Sequence, residues 1–322
     1  MRCPTLKELP PPPEGKTGWP WTEASLPLPD LMPDGKPWPK ISIVTPNYNY
    51  GNFIEETIRS VLLQGYPNLE YIIMDGGSTD NSVEIIRKYE EFLAFFRTKP
   101  DKGQTQSIND GFLHSTGDIF AWINSDDCYY KDVFSYVAQK YREAVPGRFW
   151  LVMAVNYFTP EVNVSCVKTQ NPTHSLVDWT IGKVETNQQG AFWSRKIWEE
   201  EGLLDESMHL EFDQEFFVRL IAKGYQFTAS DKIAALFRLH SAAKSRSRLL
   251  AQHEHARIAL KYLSKDYPAY IAEKRRLLGT LAYLHIKSSG EAGRPIFKRV
   301  LDLPKAFYFK LRAFFTGKRR NA

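Results

Sequence analysis

The chain has 322 residues, 43% hydrophobic and 25% charged, with 42 Lys and Arg against 37 Asp and Glu for a net charge of +5. That length holds one large α/β domain with additions, or two domains, and the composition excludes global disorder, collagen and coiled coil. The basic excess is mild, so no nucleic acid partner is expected, because bound phosphate needs a dense basic face. Cys3, Cys128 and Cys166 are odd in number and lack metal-like spacing. Neither a disulfide framework nor a Cys-type zinc site is expected, and a reducing compartment fits. No apolar run approaches the ~20 residues of a spanning helix. Met1-Arg2-Cys3-Pro4 lacks the apolar core of a signal peptide, so a cytoplasmic protein is expected.

Residues 1–39 hold eleven of the twenty prolines. Proline removes donors and fixes φ, so this arm is neither helix nor central strand. Trp19, Trp21 and Trp38 suggest that it drapes over a folded surface; a partner-binding proline motif is the other reading. From Ile41 the pattern changes. Ile41 to Thr45 is a short apolar run ending at Pro46, and Asn52 to Gln64 places Ile54, Ile58, Val61 and Leu62 on one helical face. Leu69 to Met74 is a second run, ending in Asp75-Gly76-Gly77-Ser78-Thr79-Asp80. Asn81 with Glu84 three residues on predicts a helix start of capping-box type. Leu93 to Arg97 reads as a third strand, Gln104 to Ser115 as a helix, and Ile119 to Ile123 as a fourth strand ending in Asn124-Ser125-Asp126-Asp127. In the second half, strands are predicted over Phe149 to Val155, Val162 to Lys168, Gly190 to Ser194 and Ile233 to Leu239. A helix is predicted over Phe212 to Lys223, and helices only after Ser247.

Strands alternating with helices imply βαβ units and a mainly parallel sheet, in which ligands sit at the carboxyl ends of the strands. The polar clusters Pro46–Asn49, Asp75–Asp80, Pro100–Gly103 and Asn124–Asp127 follow strand after strand, so they converge on one edge. Adjacent carboxylates such as Asp126 and Asp127 gain from a hard divalent cation shared with substrate phosphates. An ordinary acidic turn before a helix is the competing reading. Asp75 with Gly76 and Gly77 allows close approach to a ligand, or is a plain turn. Neither cluster fits a Walker or Gly-x-Gly-x-x-Gly pattern.

Taken together, Ile41-Ser42-Ile43-Val44-Thr45-Pro46-Asn47-Tyr48-Asn49, Asp75-Gly76-Gly77-Ser78-Thr79-Asp80, Asp101-Lys102-Gly103 and Trp122-Ile123-Asn124-Ser125-Asp126-Asp127 resemble the family 2 glycosyltransferases. The resemblance runs from Ile41 to about Ser247. It implies a GT-A fold, an α/β Rossmann-like sheet flanked by helices. It also implies an inverting hexosyltransferase-type reaction from a nucleoside diphosphate sugar, with UDP the first expectation, and Mn²⁺ or Mg²⁺ as cofactor. Pro46, Tyr48 and Asn49 would border the base, Asp75 would accept from its ring, and Asp126 would face the ribose and donor sugar. Asp127 would ligate the metal, and Lys102 and Asn109 would reach phosphate or sugar.

A single in-line displacement needs a carboxylate base opposite the leaving diphosphate. Within Leu210-Glu211-Phe212-Asp213-Gln214-Glu215, keeping Arg219 in register matches Asp213 to the family's base and Glu215 to its second acid; a shifted register makes it Glu211. An acidic helix amino terminus is the plain alternative. Gln188 to Trp193 resembles a stretch bordering the acceptor, so Trp193 either stacks on a sugar or packs in the core. Phe237-Arg238-Leu239-His240 followed by Lys244 resembles the family's Arg-x-His and Lys-Ser. The resemblance would make His240 a third protein ligand of the metal or a phosphate contact, and Lys244 a diphosphate contact; a structural or merely exposed histidine is the other reading.

From Glu291 onward nine basic side chains face only Glu291 and Asp302, interleaved with aromatics such as Phe297, Phe307 and Phe314. This segment reads either as an interfacial helix holding the protein at an anionic inner membrane face or as a helix packed on the domain. Without it the chain is slightly acidic, so the basic balance belongs to the tail. The expected organisation is a proline-rich arm over 1–39, a GT-A domain over 40–247 and a helical basic extension over 248–322. Within that domain, 40–130 is the nucleotide-sugar half and 131–247 the acceptor half. The expected partners are a nucleotide-sugar donor and a saccharide or lipid-linked saccharide acceptor, in surface polysaccharide synthesis. A sugar nucleotidyltransferase and a silent nucleotide-sugar-binding scaffold are the rivals. The first wants a Gly-rich, basic loop where Pro46-Asn47-Tyr48-Asn49 stands.

Overall fold

The computed structural model describes residues 1–159, 164–181, 183–184, 186–241, 244, 248–264 and 271–272. The basic segment after Glu291 lies outside these residues. Two compact units are present: Met1–Thr173 with Thr186–Ala243, and His174–Glu185 with Lys244–Ala322.

In the first unit the parallel strands β1 (Ile41–Asn47), β2 (Leu69–Asp75), β3 (Phe95–Thr98) and β4 (Ile119–Trp122) lie in the order β3-β2-β1-β4. They alternate with the helices α1 (Ile54–Leu62), α2 (Ser82–Arg87) and α3 (Gln104–Leu113). Strands β1 and β4 are buried throughout, as a parallel sheet covered on both faces requires. Helix α1 turns its apolar stripe inward, with Glu55 and Glu56 in its first turn and Arg59 in its last, which suits the helix dipole. Helix α3 approaches β1 so closely that a Cβ on Gly111 would stand 2.5 Å from Val44 Cγ1.

Beyond β4 the sheet becomes mixed. The strands β5 (Cys128–Tyr129), β6 (Trp150–Thr159), β7 (Val164–Lys168), β8 (Ala191–Ser194) and β9 (Thr228–Arg238) extend it in the order β4-β8-β6-β9-β5, with β7 also on β6. Strand β8 is antiparallel to β4 and β6, while β9 is parallel to β6 and antiparallel to β5. Helices α4 (Val133–Glu143), α6 (Arg195–Glu201) and α7 (Phe212–Ala222) belong to this half. In the second unit are α5 (Leu176–Thr180), whose start is a full capping box of Ser175 with Asp178, and α8 (Arg248–Tyr262).

Two local expectations change. Asn81 stands at the start of α2 but makes no side-chain cap, so the capping-box reading fails there; Asp80 Oδ1 accepts from Ser82 N instead, at 2.9 Å. The short elements β5, α5 and α6 and the 11-residue helix α4 were not foreseen. Strand β5 is two residues long, below any periodicity.

The proline-rich residues contribute to the core, with Cys3, Leu9, Met32 and Trp38 in the same cluster as Ile41, Ile58 and Tyr66. The guanidinium of Arg59, wholly buried, fastens them. It donates to the main-chain oxygens of Pro20, Pro10 and Trp21 at 3.0, 2.9 and 2.9 Å and to Tyr89 Oη at 3.1 Å. Extended proline-rich backbone cannot satisfy its carbonyls by itself, and a planar fork of donors meets several at once. Arg59→Ala leaves these acceptors bare at ~1–3 kcal/mol each. It is expected to lower Tm by roughly ten degrees, at ~2–4 °C per kcal/mol, and to speed limited proteolysis within 1–39. Both are readable by thermal unfolding and mass mapping of the cleavage sites; an unchanged Tm would remove this role.

Candidate functional site

The carboxyl ends of β1 to β4 bring the predicted clusters together. Asp75, at the end of β2, lies beside Asn47 at the end of β1 in parallel register. Its Oδ1 accepts from Asn47 Nδ2 (2.8 Å) and Ser78 Oγ (2.5 Å), and its Oδ2 from Gly77 N (3.1 Å), Ser78 N (3.0 Å) and Thr98 Oγ1 (2.7 Å). Burial works to raise its pKa, but the bonds from Ser78, Thr98 and Asn47 outweigh it and hold the carboxyl below the ordinary range. Asp75 is fully buried, and its carboxylate organises the turn.

The loop after β1 is stapled to the loop after β2. Asn49 adopts φ 57, the left-handed region that Asn tolerates. Its Oδ1 accepts from Thr79 N at 2.8 Å and its own N–H donates to Ser78 Oγ at 2.8 Å. Gly51 N donates to Asp80 Oδ2 at 2.8 Å. Pro46 is buried within β1, whereas Tyr48 is 58% exposed at the rim. Lys102 is exposed on the loop before α3, and its N–H donates to Gln106 Oε1 at 2.8 Å. Gln104 Nε2 ties that helix to Asn124 Oδ1 at 2.8 Å.

The two adjacent carboxylates after β4 have opposite fates. Asp127 has 0% exposure. Its Oδ1 accepts from Arg238 N at 3.0 Å, and its Oδ2 from Gln189 Nε2 at 3.0 Å and Asn124 Nδ2 at 3.3 Å. Burial, then the charge of Asp126, pushes its carboxyl well above the usual range. Asp126 points the other way, with its Oδ2 3.1 Å from His240 Nε2; the two side chains are 16% and 6% exposed. The His240 ring rests on Phe53 (centroids 4.7 Å apart) and edge-on to Tyr50 (6.0 Å). Burial and the negative field of Asp126 and Asp127 push the Tyr50 hydroxyl up to about 12. Both oxygens of Asp127, the residue expected to ligate the metal, are thus engaged inside the fold. The other oxygen and nitrogen donors at this turn are those of Asp126 and His240, which face each other. A carboxylate and an imidazole suit Mn²⁺ better than Mg²⁺, which favours oxygen alone. Among the described residues no group of three or more His, Cys, Asp or Glu gathers around this pair.

Helix α7 begins at the same sheet edge, because Phe212 packs on Trp122 at the end of β4 (centroids 6.1 Å apart). Asp213, in its first turn and half-buried, accepts at Oδ2 from Thr186 Oγ1 at 2.9 Å and at Oδ1 from Gln214 N at 2.8 Å. Glu211 is half-buried at the helix start; Glu215 is wholly buried, 3.4 Å from Arg219 Nη2.

Three other expectations change. Asn109 is buried and its amide closes on Leu204, accepting from its N–H at 2.9 Å and donating to its oxygen at 3.1 Å, so it anchors a loop instead of facing a donor. Trp193 is wholly buried against Trp122 and Phe216 (centroids 5.4 and 5.3 Å), which settles it as core. Gln188 and Gln189 are buried on Trp122 O and Asp127, so that stretch supports the acidic turn. Lys244 is exposed and belongs to the second unit. The sequence reading missed Arg238, Gln189 and Thr57, whose Oγ1 donates toward Ser125 O and Asp127 O at 3.0 and 2.7 Å. Arg238 beside His240 was the one local signal.

Comparison with known proteins gives a consistent result. Residues 42–193 match the sequence model described as Glycosyl transferase family 2. The chain is 35% identical over 97 residues to a putative teichuronic acid biosynthesis glycosyltransferase, TuaG, of Bacillus subtilis, covering 29% of this chain and 38% of that protein. It spans 28% and 29% of the lengths of the first curated relatives it matches. In fold it is similar to S. aureus TarS 1–349 in complex with UDP-GlcNAc, with TM-score 0.55, 17% identity and coverage of 86% and 81% of the two chains. It is likewise similar to mannosyltransferase PcManGT from Pyrobaculum calidifontis in complex with GDP-Man and Mn2+, with TM-score 0.54, 18% identity and 89% of each chain. Residues 42–193 thus carry the likeness to glycosyl transferase family 2, and the fold is that of the GT-A glycosyltransferases to which the chain is similar.

Proposed function

We propose that this protein is an inverting glycosyltransferase, moving a sugar from a nucleoside diphosphate donor to a saccharide or lipid-linked saccharide in surface polysaccharide synthesis. The observation that carries the reading is the Asp126–His240 pair at the carboxyl edge of β4 and β9, with Asp213 presented separately by α7. A nucleotidyltransferase reading finds no support in the loop after β1, which is closed by Asn49 onto Ser78 and Thr79. The donor in TarS and the donor and metal in PcManGT support the choice of ligands. The name of TuaG supports the polysaccharide setting.

Asp126 and His240 would hold the divalent cation, Mn²⁺ before Mg²⁺, with remaining ligands from diphosphate and water. When bound, it offsets the negative charge that develops on the leaving diphosphate. Tyr48 at the rim and the stapled 47–51 loop border the base, and Asp75 keeps that loop and the 76–78 turn in place. Lys102, free of the sheet, reaches toward phosphate. Asp213 takes the proton from the acceptor hydroxyl as it attacks the anomeric carbon. Its Oδ2 is held by Thr186, so the carboxylate is oriented before the acceptor arrives. Attack opposite the diphosphate inverts the anomeric centre.

Two measurements separate these roles. Asp126→Ala is expected to abolish Mn²⁺-dependent donor binding in a calorimetric titration with UDP- and GDP-sugars, whereas Asp127→Asn lowers Tm but leaves Mn²⁺ dependence in the folded protein. The reverse pattern would return the metal to Asp127. Asp213→Asn should retain donor binding and lose transfer by ~10²–10⁴-fold, the usual contribution of a general base; near wild-type turnover would place the base elsewhere.

A further inference from the structure

Arg238 ends β9, two residues before His240, and its side chain is 12% exposed. Four residues meet at its guanidinium. Nη2 lies 3.1 Å from Glu56 Oε1 on α1 and 3.7 Å from Cys128 Sγ on β5. Nε donates to the main-chain oxygen of Asp126 at 3.1 Å. The guanidinium lies over the Phe53 ring, 5.5 Å from its centroid, and that ring is the one against which His240 rests. Its own N–H donates to Asp127 Oδ1.

We propose that Arg238 is a positioning residue for the divalent cation, fixing Asp126 through its main-chain oxygen and His240 through the Phe53 ring. This rests on reading Asp126 and His240 as the metal-holding pair. Three features of the geometry carry it. The guanidinium bonds the carbonyl of Asp126 and leaves its carboxylate to other partners, so it orients the group without competing for it. Its charge would repel a nearby cation, and Glu56 at 3.1 Å offsets that charge. Its contacts also run in several directions at once, which a planar fork provides and a single ammonium does not. One side chain thus governs the angle and separation of two donors that follow different strands, β4 and β9. Groups that orient metal ligands from outside are worth ~10–100-fold in metal affinity.

The test is a Mn²⁺ titration of the full chain followed by electron paramagnetic resonance of free Mn²⁺, with saturating UDP and, separately, GDP. Thermal unfolding is recorded on the same samples. Arg238→Lys is expected to weaken Mn²⁺ binding by about tenfold or more, with donor turnover rising again as Mn²⁺ is raised. Glu56→Gln keeps the shape but leaves the guanidinium charge unopposed. It is expected to weaken Mn²⁺ several-fold with little change in Tm, and it decides the matter alone if Arg238→Lys does not fold. Wild-type Mn²⁺ affinity in the folded variants, with only a lowered Tm, makes Arg238 merely structural and overturns the proposal. Asp126→Ala is the reference. If it binds Mn²⁺ as the wild type does, the metal-pair reading itself falls, and that failure is distinct from failure at Arg238.

Discussion

Asp127 carries a carboxylate into the interior at the end of β4, and the chain on all sides is arranged to receive it. A buried carboxyl without partners costs several kcal/mol or changes its protonation. Here Asn124, Gln189 and the N–H of Arg238 supply the donors, and Thr57 holds the main-chain oxygen of the same residue. Those partners come from the β4 turn, the segment before β8, β9 and α1. The parallel first half and the mixed second half are therefore joined at one side chain, and the geometry of everything beside it follows from that junction.

The consequence for Asp126 is direct. Adjacent residues leaving a strand point to opposite sides, so fixing Asp127 inward turns Asp126 outward. Strand β9 delivers Arg238 and His240 to the same place because it lies parallel to β6 and antiparallel to β5. The mixed half of the sheet thus has a specific use. It returns a strand end to the carboxyl edge of β4, where a purely sequential parallel sheet would have placed another crossover.

Much of this was legible in the residues. The alternation of apolar runs and helical faces from Ile41 to Ile123 gave the order of elements, and the polar clusters after each run gave the edge. Which carboxylate of the Asp126-Asp127 pair faces out was not legible, because the answer depends on Gln189 and Arg238, far away in sequence. Asn109 and Trp193 misled for a related reason. An Asn on a helix near a site and a Trp on a strand near a site look the same whether they face the ligand or the core. Only packing, on Leu204 in one case and Trp122 in the other, distinguishes them. The proline-rich arm was read as a drape, and its burial of Cys3, Leu9 and Trp38 goes with the buried Arg59, which no pattern in the sequence marked.

The Asp127 junction also bears on how the chain acquires its site. Its partners stand 70, 62 and 111 residues away along the chain. Contacts of that span pay loop-closure entropy before they return any stabilisation, and they form late in folding. The parallel half can gather its strands early from nearby segments, but the pair at Asp126 and His240 exists only after β9 has docked. On the proposed metal pair, competence for ligand would be a property of the finished fold, which a nascent chain holding only β1 to β4 would lack.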